Sequence, residues 1–339
     1  MIKNLKNNKT FIIGEAGCNH NGSIERAFKL IDLAKRAKLD AVKFQVFNPH
    51  MLVTKNAKKA NYAIKNTPRN ESQLSMQKKI SLTNEEHYKI KKYCDKIKIT
   101  HVCSAFDLES IDFLKKIKLK IFKIPSGEIN NTPYLKKISK LNVKVILSTG
   151  MSTINEIEYA FNIFKNQFKK NDLSILHCIS AYPTKLSTVN LNTIPFFKEK
   201  FNCTVGFSDH TTSELIPALA VISGAQIIEK HFTNNKGLSG PDHFMSLNEK
   251  ELVRMVNNIH IADKTAGKFG KFISNDEKKN LIHARKSIFA NEFIPKGKKF
   301  NHHNIIIKRP AIGLSPINYY KLIGKKALKK FKKDEKIIC

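Results

Sequence analysis

The sequence of 339 residues predicts an α/β chain, a closed parallel (β/α)8 TIM barrel followed by a small β-rich domain. Three observations carry this. Eight short apolar runs recur, FIIGEAG (11–17), AVKFQVF (41–47), ITHVCSAF (99–106), KIFKIPSGE (120–128), VKVILSTG (143–150), LSILHCISAYP (173–183), CTVGFSDH (203–210) and QIIEKHF (226–232), with helical stretches between them. Eight strand–helix units is the count of a closed parallel barrel. Each run also stops at a polar cluster, and strand carboxyl ends are where such a barrel gathers its active site. Finally, from residue 285 the texture changes to short β-type runs broken by Pro and Gly.

Between the strands, residues 24–37 set Ile24, Phe28, Leu30, Ile31, Leu33 and Ala34 toward one side of a helix, with Ser23 as its N-cap. The helix over 83–97 opens on Thr83 with Glu85 and Glu86 in its first turn, where negative charge meets the positive end of the dipole. Thr153 with Glu156 three places on reads as a capping box for 153–165, and 248–264 gives the last barrel helix. The connection 48–82 is unusually long and holds the helical-looking NESQLSMQKKISL; a loop of that length in a compact barrel is usually functional, and it is expected to cap one side of the rim. The polar stretch AGKFGKFISNDEKKNLIHA suits a linker. The resulting division is a barrel domain over 1–268, a linker over 269–284 and a β-rich domain over 285–339.

Composition limits the function classes. A hydrophobic content of 41% is enough for a sizeable core, and no run approaches the roughly 20 apolar residues of a spanning helix. The opening MIKNLKNNKTF carries no apolar core with a cleavage site, so a cytoplasmic protein without membrane partners is expected. Six scattered cysteines (Cys18, Cys94, Cys103, Cys178, Cys203, Cys339) form no CxxC pair and are expected to be reduced and mostly buried. The formal charge of +32 invites a nucleic-acid reading, but only six of the sixty basic residues are Arg, the fork on which base and phosphate recognition leans. Lysines spread along the whole chain fit solvated positions, so no nucleic-acid partner is expected; the charge can still gather anionic substrates.

The rim carries the chemistry. The strand ends supply Glu15, Lys43, Gln45, Ser104, Lys123, Ser126, Glu128, Ser148, Tyr182, Ser208, Asp209, His210, Glu229 and His231. His210 and His231 end consecutive strands, which lie about 4.8 Å apart in a sheet, so both imidazoles can reach one cation. A lone His there is usually structural; two in register beside Asp209 and Glu229 favour a metal. Two imidazoles with open positions suit an octahedral Mn²⁺-like ion rather than closed tetrahedral zinc. Asp242 or His243 of GPDH can complete the shell or order a substrate hydroxyl. Lys43 and Lys123, each flanked by apolar residues, admit three readings: a structural salt bridge, a Schiff-base lysine, or paired clamps for a small anion. Ser104, Ser126, Ser148 and Ser208, with Gly127 and Gly150 allowing close backbone approach, rank the phosphate and carboxylate cradle first.

Taken together, GEAGCNHNGS, VKFQ, FDLESIDFL, FKIPSGEI, ILSTGM, YPT, GFSDHT, IEKHFT and SGPDH, in this order, closely resemble the bacterial sialic acid synthase family. The tail, ARKSI…IPKGKKF…KRP…LSP, resembles that family's antifreeze-like (SAF) domain. The resemblance implies a transferase that condenses phosphoenolpyruvate with an N-acetylated mannosamine-type sugar and water, giving a nine-carbon 2-keto sugar acid (N-acetylneuraminate or legionaminate) and phosphate. It implies that Lys43, Ser104, Lys123, Ser126, Ser148 and Ser208 hold phosphoenolpyruvate. His210 and His231 would bind the divalent metal, Mn²⁺ first, with Mg²⁺ or Co²⁺ as substitutes. Glu15, Gln45, Tyr182 and Asp242 would position the sugar, with Glu128 also at the substrate. Glu229 would act as general base or, alternatively, orient His231. A domain-swapped homodimer is also implied, with Arg309 of KRP reaching the partner's sugar. Departures from the family pattern are CSAF in place of STPF, which puts Ser104 at a Thr position and Ala105 at a Pro position, and KRPAIG in place of KRPGNG. The competing readings are a pyruvate lyase with a lysine imine and a non-catalytic basic binding protein. The second would be marked by loss of the rim Lys, His and Glu, all of which are present.

Overall fold

In the computed structural model, which describes residues 9–165 and 172–338, eight parallel strands close into a barrel in chain order. They are β1 (Phe11–Gly17), β2 (Ala41–Val46), β3 (Thr100–Ala105), β4 (Ile121–Ile124), β5 (Lys144–Ser148), β6 (Leu173–Cys178), β7 (Thr204–Asp209) and β8 (Ile227–His231). β8 pairs back onto β1, setting Glu15 opposite His231. Two strands are shorter than the apolar runs suggest. β4 ends at Ile124 because Pro125 has no N–H to donate to a ladder, and the chain turns into a single 3₁₀ turn over Ser126–Glu128. β6 ends at Cys178 because the Ile179 carbonyl is taken by side chains, the His210 ring and the Thr184 hydroxyl.

Outside the wall, the capped helices form where their signals lie. Ser23 accepts from the Arg26 N–H ahead of Ile24–Arg36, Thr83 and Glu86 make a reciprocal capping box ahead of Asn84–Ile97, and Thr153 with Glu156 does the same ahead of Ile154–Lys165. The last barrel helix, Glu249–Thr265, starts from an Asn248–Glu251 box. Each such cap satisfies backbone donors that a helix start leaves open. The long connection folds into three short helices, Pro49–Leu52, Asn61–Asn66 and Gln73–Ile80. The chain divides into two compact units, Met1–Gly267 and Lys268–Cys339. The stretch expected as a linker contains a ten-residue helix, Asn275–Ala284, with its own capping box from Ser274 and Glu277. In the second unit β9 (Ser287–Ala290) pairs antiparallel with β10 (Ile305–Lys308) over a small core that includes Ile288, Phe300, Leu322 and Phe331.

Side chains alternate across a strand with period two, and this builds the barrel interior in tiers. One tier is apolar: Ile13, Ala41, Val102, Ile121, Ile146, Leu176 and Ile227 belong to one buried cluster. Two residues further along the same strands stand Glu15, Lys43, Ser104, Lys123, Ser148, Cys178 and Glu229, with Ser208 on β7; all are buried. Burying charge is costly unless it is paired. Here two ammonium groups face two carboxylates. Lys43 Nζ lies 2.9 Å from Glu15 Oε2 and 3.8 Å from Glu229 Oε1, and Lys123 Nζ lies 3.6 Å from the same Glu229 oxygen. Burial disfavours the Lys43 ammonium, but Glu15 and Glu229 outweigh it and raise its pKa. Burial likewise disfavours the Glu229 carboxylate, and Lys123 and Lys43 outweigh it and hold its pKa below the ordinary value. Lys123, with only the longer contact, is pulled down by burial.

Three histidines pack among the apolar side chains away from this tier. Burial lowers His20 to about 3, His87 to about 4 and His101 to about 3. His20 Nδ1 accepts from the Gly22 N–H, neither ring nitrogen of His101 has a partner, and at His87 the Glu86 carboxylate opposes burial without overcoming it. An unfolded chain protonates these rings near pH 6.5 while the folded chain does not, so stability is full above that pH and is lost as pH falls toward 4. Urea midpoints should hold steady above pH 7 and fall between pH 6.5 and 4, by up to about 1.4 kcal/mol per pH unit for each ring; a flat profile down to pH 5 would contradict this. Removing one member of the charged tier leaves a buried charge uncompensated. Lys43→Met should therefore cost about 3–5 kcal/mol in chemical denaturation, and the charge-neutral Glu15→Gln/Lys43→Met double variant should recover most of it; equal losses in both would count against pairing as the cause.

Candidate active site

A polar cavity of about 250 Å³ opens above the charged tier. Glu15, Lys43, Gln45, Lys123, Ser126, Ser148, Tyr182, Ser208, His210, Glu229, His231 and Asp242 all line it, so the lysines and the imidazoles share one hollow. Barrel register explains the convergence: Glu15 is level with Lys43 and His231, and Ser208 with Glu229. Gln45 Nε2 donates to Glu15 Oε1 at 2.7 Å, fixing that carboxylate while its other oxygen meets Lys43. Ser208 Oγ donates to Glu229 Oε1 at 3.1 Å; Glu229 Oε2 and Ser148 Oγ are buried without hydrogen-bond partners. Buried polar atoms are normally satisfied, so these are places for a ligand or water.

Two glycines permit the rim to be this crowded. Gly17 has φ +52°, and a Cβ there would sit 3.2 Å from Glu15 Oε1 and 3.5 Å from both Asp242 Oδ2 and Gln45 Nε2. At Gly150 a Cβ would come within 2.2 Å of Ser180 Oγ and 2.9 Å of Ser126 Oγ. Without one, the Gly150 N–H donates to Ser126 Oγ at 2.9 Å. That bond holds the Ser126 hydroxyl, and with Ser180 it leaves two hydroxyl donors on this side of the cavity, groups that suit an anion.

The two imidazoles lie with ring centroids 5.4 Å apart. His210 Nδ1 donates to the Ile179 carbonyl at 2.7 Å, which fixes the tautomer in which Nε2 is bare and free to ligate. His231 Nδ1 is buried without a hydrogen-bond partner, 3.7 Å from Asp242 Oδ2. Burial, with His210 and nearby lysines adding, holds His231 well below its ordinary pKa and therefore neutral, as a ligand must be. Among the described residues no cluster of three or more His, Cys, Asp or Glu side chains is arranged as a metal cage. Two imidazole nitrogens with an open side fit a hard, oxygen-seeking dication that takes its remaining ligands from water and substrate. His243 is not available to it, because its ring engages Thr233 Oγ1 at 2.7 Å and Asn21 Oδ1 at 3.3 Å, and it does not line the cavity.

Other expected residues stand elsewhere. Ser104 is fully buried, its Oγ accepting from Lys43 Nζ at 3.5 Å, and does not line the cavity. Glu128 sits on the 3₁₀ turn accepting from Asn131 Nδ2 at 2.6 Å and does not line it either. Asp209 points to the outer side of the wall, where Lys230 and Thr211 take its carboxylate. Arg309 belongs to the second unit, where its Nε donates to the Ala284 carbonyl at 2.9 Å. Cys18 donates to Asp242 Oδ2 at 3.4 Å, and burial together with Asp242 lifts its thiol pKa well above the ordinary value, which removes it as a nucleophile. Cys18, Cys94, Cys103 and Cys178 are free and buried and Cys203 is free and partly buried; Cys339 lies outside the described residues.

The long connection supplies the part of the site that motif reading missed. Tyr62, Gln73, Met76, Gln77 and Ile80 line the cavity, and the Tyr62 ring packs on Tyr182 with centroids 4.8 Å apart. The usable signal was the spacing of four in Gln73/Gln77 and in Met76/Ile80, which puts each pair on one side of a helix.

The sequence profile of the NeuB family matches residues 30–271, and that of the SAF domain matches 285–337. The N,N'-diacetyllegionaminic acid synthase of Campylobacter jejuni subsp. jejuni serotype O:2 is 46% identical over 97% of this chain and 99% of that protein. The pseudaminic acid synthase of C. jejuni serotype O:23/36 is 39% identical over 95% and 93% respectively. Among solved structures, the N-acetylneuraminic acid synthetase of Leptospira borgpetersenii serovar Hardjo-bovis in complex with citrate matches with a TM-score of 0.72 and 34% identity, covering 81% of this chain and 91% of that one. An eight-stranded barrel with two buried lysines and two imidazoles at one rim, and a small β unit behind it in sequence, thus belongs to the NeuB, or sialic acid synthase, family.

Proposed function

We propose that this protein condenses phosphoenolpyruvate with an N-acetylated mannosamine-type sugar and water, releasing phosphate and forming a nine-carbon 2-keto sugar acid. One observation carries the reading: Lys43 and Lys123 face the same hollow as His210 and His231. Lys43 and Lys123, with Ser126, Ser148 and Ser208 nearby, take the phosphate and carboxylate of phosphoenolpyruvate. Glu15 and Gln45, already hydrogen-bonded to each other, and Tyr182 and Asp242 orient the sugar. Gln73 and Gln77 wall the outer side of the cavity.

Carbon–carbon bond formation joins the enol carbon of phosphoenolpyruvate to the open-chain aldehyde and leaves positive charge on the adjacent carbon. Water adds there, and its proton needs a base. Glu229 is held ionised by two lysines and has one unpartnered oxygen, which suits it to that role. Collapse of the adduct breaks the C–O bond to phosphate, and Lys43 and Lys123 offset the charge on the leaving group.

His210 and His231 would hold a divalent cation, Mn²⁺ first and Mg²⁺ or Co²⁺ as substitutes, which would act as a Lewis acid on the aldehyde oxygen. Charge balance supports this. The tier's two lysines and two glutamates cancel, so an incoming phosphoenolpyruvate brings net negative charge into a buried site unless a cation accompanies it. For the sugar, 46% identity to a diacetyllegionaminic acid synthase along nearly the whole chain supports a 2,4-diacetamido-2,4,6-trideoxymannose. The apolar pair Met76 and Ile80 on the cavity wall suits its 6-deoxy end. A homodimer in which the tail of each chain serves its partner's barrel is part of the same proposal. Among the described residues no helix is long and apolar enough to cross a membrane.

A phosphate-release assay with phosphoenolpyruvate and Mn²⁺ should show turnover with the diacetamido sugar at least about tenfold above that with N-acetylmannosamine, the scale of one mismatched polar group in a pocket. Chelation should silence the reaction, and His210→Ala or His231→Ala should abolish it in a folded protein. Phosphate release with neither sugar, or wild-type rates in the histidine variants, would overturn the proposal.

A further inference from the structure

Behind the two imidazoles, on the outer side of the barrel wall, lies a buried ion pair that none of the chemistry above uses. Asp209 and Lys230 are register partners on β7 and β8, each 1% exposed, with Lys230 Nζ 2.6 Å from Asp209 Oδ2. Outward positions on these strands are otherwise apolar: Phe207, Ile228 and Phe232 all join the main core. A charged pair in such a setting is an expensive choice, because a buried ion pair is often no more stabilising than apolar side chains of similar volume.

Its connections show what it holds. Asp209 Oδ1 accepts from the Thr211 N–H at 2.8 Å, and Oδ2 accepts from the Thr211 hydroxyl at 3.1 Å. Lys230 Nζ also donates to the Thr211 carbonyl and to its hydroxyl. Both neighbours of His210 are therefore clamped by one ammonium group, and that group sits on the residue between Glu229 and His231. Alternation sends Asp209 and Lys230 outward and Ser208, Glu229 and His231 inward. The clamp thus ties the backbone that aims one imidazole to the backbone that aims the other.

We propose that Asp209, Lys230 and Thr211 form a positioning device that sets His210 and His231 for a divalent cation, an inference that rests on the metal reading above. It does not touch the cation or the substrates; it acts through the two rings. Groups that orient metal ligands from behind typically change metal affinity by about 10- to 100-fold when removed.

The test uses the full chain, with Mn²⁺ alone titrated without substrates and free Mn²⁺ followed by electron paramagnetic resonance. Asp209→Asn/Lys230→Met removes both charges at similar volume and strands neither. Its metal-free unfolding midpoint should stay near wild type, Mn²⁺ should bind at least about tenfold more weakly, and raising Mn²⁺ should restore kcat. A folded double variant with wild-type Mn²⁺ affinity overturns the inference. If that variant does not fold, Thr211→Val keeps the ion pair and removes only the bridging hydroxyl. It should still weaken Mn²⁺ binding roughly several-fold, and unchanged affinity there overturns the inference equally. Wild-type protein that takes up no Mn²⁺ in the same titration removes the metal reading itself, and this inference with it.

Discussion

Two ammonium groups can wait at the floor of a buried cavity only if something balances them, and here two carboxylates in the same tier do so. Glu15 holds Lys43 at 2.9 Å, while Glu229 stands 3.8 Å from Lys43 and 3.6 Å from Lys123. The close contact and the looser ones differ in consequence. A tight pair resists losing its partner, whereas lysines 3.6–3.8 Å from a shared carboxylate can turn toward an arriving anion at smaller cost. The tier reconciles two demands, since the apolar tier beneath it fills the barrel and the charged one above stays neutral until substrate binds. The choice among structural salt bridge, imine and anion clamp for the lysines is therefore not exclusive. The salt bridges are what keep Lys43 protonated in its buried place.

Much of this was legible in sequence because parallel strands buried on both faces read as continuous apolar runs. A lysine interrupting AVKFQ or IFKIP stands out against them. Capping signals at Ser23, Thr83 and Thr153 were equally local and were met where they lay. What stayed hidden depended on direction or on contacts far apart in sequence. Asp209 looks like a further rim residue until in/out alternation is applied strictly, which sends it, with Lys230, to the far side of the wall. Ser104 obeys the alternation yet is fully buried against Lys43 and does not reach the cavity, an occlusion that no pattern encodes. The inward side of the Gln73–Ile80 helix is set by its packing over the cavity, which a 35-residue connection does not announce. The linker expected between the units failed to register the Ser274–Glu277 capping box, a signal of the same kind as those used elsewhere.

The cavity thus has a floor of charge, one side formed by imidazoles, and a cover contributed by the long connection. Polar groups left unpartnered there, Ser148 Oγ on β5 and Glu229 Oε2 and His231 Nδ1 on β8, come from two strands that are not neighbours in the barrel and face one volume. Such atoms cost stability unless a ligand or water meets them. Their convergence is the structural mark of a site built for a polar substrate with both anionic and hydroxyl groups.

The most direct test of the charged tier as an anion store is equilibrium binding of phosphoenolpyruvate to the Glu15→Gln/Lys43→Met protein, whose net charge in the tier is unchanged. The account predicts a Kd raised at least about 100-fold, the scale of losing one buried charge-assisted contact, in a protein that remains folded. Wild-type affinity in that variant would show that the lysine serves only the barrel and would contradict the account.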